Sequence, residues 1–161
     1  MSAFVSTPPA SAAAPAPAPV GDEIPNDGWY PPLSLAKTRE ILALTTAITD
    51  PRLRDAVQGG MLSVNRQLRD WRIEREAAGA TDLASAGTAR VPAAELALLY
   101  PRAVRAATAA ELVDLQHQLS ATDGGRERER IEASPADDHR RIAIHCVRDI
   151  QGKRRTKVRL I

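Results

Sequence analysis

The chain has 161 residues, which is enough for one core of ordinary size. Aromatic residues are only 3% of it and alanine supplies much of its apolar content, so we expect a thin, helical core. The net charge is +2, but the nine residues from Lys153 to Ile161 carry +5 and leave −3 for the other 152. With one cysteine, Cys146, an internal disulfide is excluded, and the absence of a run of about twenty apolar residues argues against a membrane span.

The first 25 residues are dominated by alanine, proline and serine. This composition cannot form a packed core and favours extended, polyproline-like conformations, so residues 1–25 are predicted to form a flexible arm. An Asn-Asp-Gly turn signal at 26–28 marks the expected start of ordered structure, and Trp29 and Tyr30 follow it directly. Two large rings beside a turn should pack against the helices of their own chain or, as the second possibility, at a subunit interface.

Two helices are predicted next. The first, Leu35–Leu44, is capped by Ser34 and should turn one side inward, formed by Leu35, Thr38, Ile41 and Leu42. The second, Pro51–Ala78, starts with Asp50 as N-cap and proline at the first helical position. Its apolar residues recur every three or four positions in one packing stripe, made of Leu53, Val57, Met61, Val64, Leu68 and Trp71. Gly59 and Gly60 cost about 1 kcal/mol each relative to alanine, which a closely crossing helix would offset.

Two more helices follow a loop at 79–88. Pro92–Ser120 repeats the helical period, with the stripe Leu96, Leu99, Ala103, Ala106, Ala110 and Val113, and Pro101 should bend it. Its stripe matches that of the second helix, so the two should pack as an antiparallel hairpin. The last helix, Pro135–Gln151, is expected to stop at Gly152 and to face inward with Ile142, Cys146, Val147 and Ile150.

The predicted fold class is therefore all-α. A long antiparallel helical hairpin and two shorter helices form a domain over residues 26–152. An extended N-terminal arm precedes this domain and a C-terminal tail strand, residues 153–161, follows it.

The polar residues do not form a pattern typical of an enzyme. His117, His139 and His145 are too scattered for a metal-binding pair, and no phosphate-binding loop or nucleophile motif is present. The charged run at 137–141 is best interpreted as a solvated helix start, and Cys146 as a small core residue. We therefore predict no catalytic residue, metal site or cofactor.

The tail alternates basic and apolar or β-branched residues from Arg155 onward. A period of two is typical of a β-strand, but a helical chain offers no sheet for it to join, so it should pair with another chain. The predicted partner-binding residues are Lys153, Arg154, Arg155, Thr156, Lys157, Val158, Arg159, Leu160 and Ile161, with Val158 and Leu160 as buried anchors. A solvated tail and a phosphate-binding tail are the other interpretations, although no aromatic residue interleaves it for base stacking.

Four stretches carry a resemblance to a known family: NDGWYPPLSLAKTREIL at 26–42, TDPRLRDAVQGGMLSVNRQLRDWR at 49–72, LLYPRAVRAATAAEL at 98–112, and the stretch from Asp137 to Ile161. In this order and spacing they resemble the head completion (head stabilisation) proteins of contractile-tailed bacteriophages of the Peduovirus type. The resemblance covers roughly 26–161. It leaves out the proline-rich arm, and Pro101 and the Gly59-Gly60 pair depart from the family pattern.

The resemblance implies a structural protein of the virion neck. Such proteins assemble as a ring, usually of twelve copies, beneath the portal after DNA packaging, where they close the head and present a surface for tail attachment. The implied partners are the portal protein, further copies of the chain, tail terminator or neck proteins and DNA in the channel, with assembly in the host cytoplasm. The alternative is a DNA-binding or terminase-associated accessory protein of phage packaging, whose tail would contact phosphate.

Overall fold

A computed structural model describes residues 21–120 and 135–153, with only the backbone described at 117–120. In these ranges the chain is largely helical, as predicted. The elements in chain order are β1 (Glu23–Ile24), β2 (Leu33–Ser34), α1 (Leu35–Ile41), α2 (Asp50–Gln67), α3 (Arg69–Ala77), α4 (Ala93–Ser120) and α5 (Pro135–Ile150). None of the described helices combines the length and hydropathy that a membrane crossing needs.

A small antiparallel sheet precedes the helices and is absent from the sequence prediction. β1 and β2 pair Glu23 with Ser34 and Ile24 with Leu33, and Ile24 is fully buried. The predicted arm boundary at residue 25 therefore lies too late. The premise that the chain contains no sheet is also wrong, because strands of two residues are too short to show a period of two.

The first helix is shorter than predicted. The Ser34 hydroxyl accepts a hydrogen bond from the Lys37 amide at 3.0 Å, as expected of a cap. The helix ends at Ile41, and Ala43 adopts a φ of +50° just beyond it. Thr38 is fully buried, but Ile41 is 51% exposed and does not face inward as predicted.

The predicted second helix is present but divided at Leu68, which separates α2 from α3. The Leu68 amide still donates to the Val64 carbonyl at 3.0 Å, so the axis continues with little disturbance. All six residues of its predicted stripe are buried. Its N-cap is Thr49 rather than Asp50, which instead pairs with Arg39 at 2.7 Å.

Helix α4 packs antiparallel against α2 and passes through Pro101 without a break. The two helices approach closely at Gly60, where an added Cβ would lie 2.9 Å from the Val104 carbonyl oxygen and 2.8 Å from the Thr108 hydroxyl. The predicted close crossing at the glycine pair is confirmed.

Helix α5 completes a three-helix bundle with α2 and α4. It runs antiparallel to α4, since Arg140 pairs with Asp114 near one end and Gly152 lies beside Arg90 at the other. Cys146, Val147 and Ile150 are buried as predicted. Ile142 is 37% exposed, and Ala143 takes the inward position instead.

Candidate interaction surfaces

The base of the predicted partner-binding tail has a defined geometry. Gly152 adopts a φ of +66° and its amide donates to the Asp149 carbonyl at 2.9 Å. The Lys153 amide donates to the Arg148 carbonyl at 2.9 Å, which completes a Schellman stop. The predicted helix stop is confirmed, and Lys153 is exposed at the point where the tail leaves the bundle.

The rest of that site lies outside the described residues. These positions are Arg154, Arg155, Thr156, Lys157, Val158, Arg159, Leu160 and Ile161. The pairing of this tail with another chain therefore stays a prediction.

Trp29 and Tyr30 belong to a cluster of four rings, which we call the aromatic cluster and which also contains Trp71 and Tyr100. Trp29 meets Trp71 edge to face at a centroid distance of 5.9 Å, and Tyr30 stacks on Tyr100 at 4.7 Å. Trp29 and Tyr30 are 5% and 2% exposed. This arrangement corresponds to the first predicted alternative, packing against the helices of their own chain.

Asp27 holds the turn that presents these rings. Its carboxylate accepts hydrogen bonds from the Trp29 and Tyr30 amides, each at 3.1 Å. It also pairs with Arg72, whose guanidinium lies 5.0 Å from the Trp29 ring centroid. Burial acts to raise the pKa of Asp27, but the Tyr30 amide and Arg72 hold that pKa below its usual value.

A closed set of three hydrogen bonds fixes the other side of the aromatic cluster. The Tyr100 hydroxyl donates to Asn65 at 2.7 Å, Asn65 donates to Asn26 at 3.0 Å, and Asn26 donates to the Tyr100 oxygen at 2.7 Å. Burial raises the pKa of Tyr100 well above its ordinary value. The phenol therefore stays neutral, as this arrangement requires.

Sequence reasoning missed Asn65 and Arg72 as partners of the turn. They lie seven positions apart, so both occupy one face of the α2–α3 segment. The sequence does carry one signal that could have identified them, namely two polar residues at this spacing next to the apolar stripe. Their role here is structural, because both anchor the segment that carries Trp29 and Tyr30.

The charged run at 137–141 makes local ion pairs. Arg140 pairs with Asp137 at 2.7 Å and reaches across to Asp114 of α4, and Arg141 pairs with Asp138. Cys146 is 5% exposed in the core. In the part of the chain that the structure describes, no group of His, Cys, Asp and Glu side chains could hold a metal ion.

Large apolar side chains are exposed on the outer faces of the bundle. Leu62 of α2 is 64% exposed, Ile73 of α3 58% and Leu98 of α4 75%. Single exposed apolar residues are common on protein surfaces. Whether these side chains form an interface depends on the family to which the chain belongs.

Comparison with known proteins supplies that identity. The family model described as "Phage head completion protein (GPL)" matches residues 24–161. A relative, the "Head completion/stabilization protein" of Escherichia phage P2, is 31% identical over 142 residues, which cover 86% of this chain and 84% of that protein. No solved structure matches the chain significantly. The family match spans the sheet, the bundle and the tail, and the chain therefore belongs to the phage head completion protein family.

Proposed function

We propose that this protein is an adaptor of the virion neck. Copies assemble as a ring beneath the portal after DNA packaging, close the filled head and present the surface to which the tail attaches. The observation that carries the proposal is the family match, which runs from residue 24 through the bundle to the basic tail. The role is structural, with no reaction and no cofactor.

The subunit has features suited to assembly in a ring. Half of the predicted α4 stripe is alanine, which buries little area per residue, and Leu62, Ile73 and Leu98 remain largely exposed. Burying such side chains against neighbouring copies would stabilise each subunit by about 1.5–3 kcal/mol per fully buried side chain. A subunit of this kind gains stability from its neighbours in the ring.

The tail beyond Lys153 is the proposed contact to the portal protein or to an adjacent subunit. The Schellman stop at Gly152 separates it from α5, so it can pair with a strand of another chain without disturbing the bundle. Its four basic residues favour an acidic surface, and Val158 and Leu160 supply the apolar anchors.

Deleting 155–161 is expected to abolish binding to the cognate portal protein while the free protein stays folded and keeps its helical content. Binding is measured by surface plasmon resonance. A variant with residues 155–161 scrambled keeps the charge but loses the alternation, so it serves as the matched control and should also fail. Unchanged affinity after the deletion would contradict the proposed role of the tail.

The same variants test the alternative of DNA binding. A tail that contacts phosphate predicts DNA binding by the free protein that weakens steeply with salt, survives scrambling and is lost on deletion. The adaptor proposal expects portal binding that depends on the order of the tail residues.

A further inference from the structure

A groove runs along the bundle between α2 and α5 and begins where the tail leaves α5. The half nearest this exit is lined by Gln67, Ile144, Val147, Arg148, Gln151 and Lys153. Gln67 and Ile144 also line the far half, which has a volume of about 360 Å³. The two halves therefore share a boundary and lead away from Lys153 as one groove.

Small side chains make the far half open. Ser63 of α2, with Ala107 and Ala110 of α4, presents only small side chains to this half. Ile144 on the α5 side is 49% exposed, so part of the wall is apolar and uncovered. This partly apolar wall suits an extended segment that carries some apolar side chains.

Glu111 is an acidic residue of this groove that has no basic partner among the described residues. Burial raises the pKa of its carboxyl, and the nearby acids Asp55 and Asp114 act in the same direction. Within the described residues, no Lys or Arg lies within ion-pair distance of Glu111. A cation placed beside it would therefore gain more than at an ordinary surface acid.

One cation that borders the groove is already paired. Arg140 is paired with Asp114 of α4 and with Asp137. Arg148, near the exit, has an interaction of its own. Arg140 is not paired with Glu111, so the charge of Glu111 is left for an incoming segment.

The tail has the length and charge to reach Glu111. Arg140 and Ile144, which border the far half, lie eleven and seven residues before Gln151. At 1.5 Å per residue the far half therefore lies about 10–16 Å from the exit. An extended chain rises about 3.3 Å per residue, so Lys157 reaches about 13 Å from Lys153 and Arg159 about 20 Å.

We propose that in the free protein the segment from Arg154 onward lies in this groove of its own chain, antiparallel to α5, with Lys157 or Arg159 paired to Glu111. This goes beyond the proposed function, which concerns the assembled state. The groove holds the tail until a partner chain offers a strand to pair with, and so keeps a basic, strand-forming segment from binding nonspecifically.

Paramagnetic relaxation in the full-length protein tests this placement. An Ile161→Cys variant is spin-labelled, and Cys146, at 5% exposure, is shielded from the reagent. We expect broadening of the Ser63 and Ala110 amide signals, which is lost in the Glu111→Gln background and in about 1 M salt. Glu95→Gln, an exposed acid of the same helix, is the matched control and should retain the broadening.

Three outcomes would overturn the proposal. They are absence of broadening in the groove, broadening that survives Glu111→Gln, and broadening seen only when labelled and isotope-enriched copies are mixed, which would place the tail in a second copy. Retained amide dispersion in Glu111→Gln confirms that the variant is folded. The portal protein takes no part in this experiment, so failure here leaves the tail-deletion test unaffected.

Discussion

Replacing Trp29 and Tyr30 together with alanine is expected to unfold the isolated protein or to lower its free energy of unfolding by more than about 3 kcal/mol. Removing one large buried ring typically costs about 3–5 kcal/mol. Tyr30 stacks on Tyr100, and Trp29 contacts Trp71. Removing both rings therefore leaves Tyr100 and Trp71 without these partners in the aromatic cluster. The two effects will not add, because the rings touch each other at a centroid distance of 4.6 Å.

Urea unfolding followed by circular dichroism measures this effect. Leu98→Ala is the matched control, since Leu98 is 75% exposed on the helix that also carries Tyr100. It should change stability by no more than about 0.5 kcal/mol. If the double variant were as stable as the wild type, the two rings would not pack within their own chain and the subunit interface would become the better interpretation.

Gly60→Ala is expected to destabilise the protein by about 1–3 kcal/mol, although alanine is the better helix former. The new Cβ would sit 2.9 Å from the Val104 carbonyl oxygen, a backbone atom of α4 that cannot move away by itself. The helices would have to separate at this close approach. Denaturant titration of the free protein gives the change.

Gly59→Ala provides the matched control one residue earlier. Its Cβ would meet the Glu111 carboxylate, whose nearest oxygen is 2.6 Å away but belongs to the far end of a flexible side chain. Rotation of that side chain relieves the clash, so this variant should gain up to about 1 kcal/mol from helix propensity. Equal effects at both positions would mean that α4 does not cross closely at Gly60.

The helical part of the fold could be predicted because its signals are local and repeated. The stripe from Leu53 to Trp71 recurs over five turns, and all of its residues are buried. The helix stop at Gly152 is a property of glycine itself, which adopts a positive φ without strain. Such features depend on the order of neighbouring residues and little on tertiary contacts.

The sequence predictions were wrong at positions where tertiary contacts determine the local structure. The β1–β2 pairing joins residues about ten positions apart through strands too short to show a period. Ile142 and Ala143 are neighbours on α5, and the position facing α4 is fixed by packing rather than by the larger side chain. No glycine or proline lies at Leu68, so the sequence carries no signal for the break between α2 and α3.

The residues of the proposed tail site could be chosen from the sequence, but the groove beside them could not. The alternation after Lys153 is visible in the sequence, whereas the groove beside its exit depends on the relative placement of α2, α4 and α5. Glu111 is a single acid in an alanine-rich helix and carries no motif. Only the packed bundle shows that it lines the groove that leads away from Lys153.

Negative-stain electron microscopy of the protein with and without its cognate portal protein tests the proposed adaptor role most directly. We expect separate subunits in the free protein and, when portal is added, a ring of additional density on one face of the portal. The tail deletion should leave the portal bare at the same protein concentration. Isolated subunits beside an unchanged portal under all conditions would contradict the proposal.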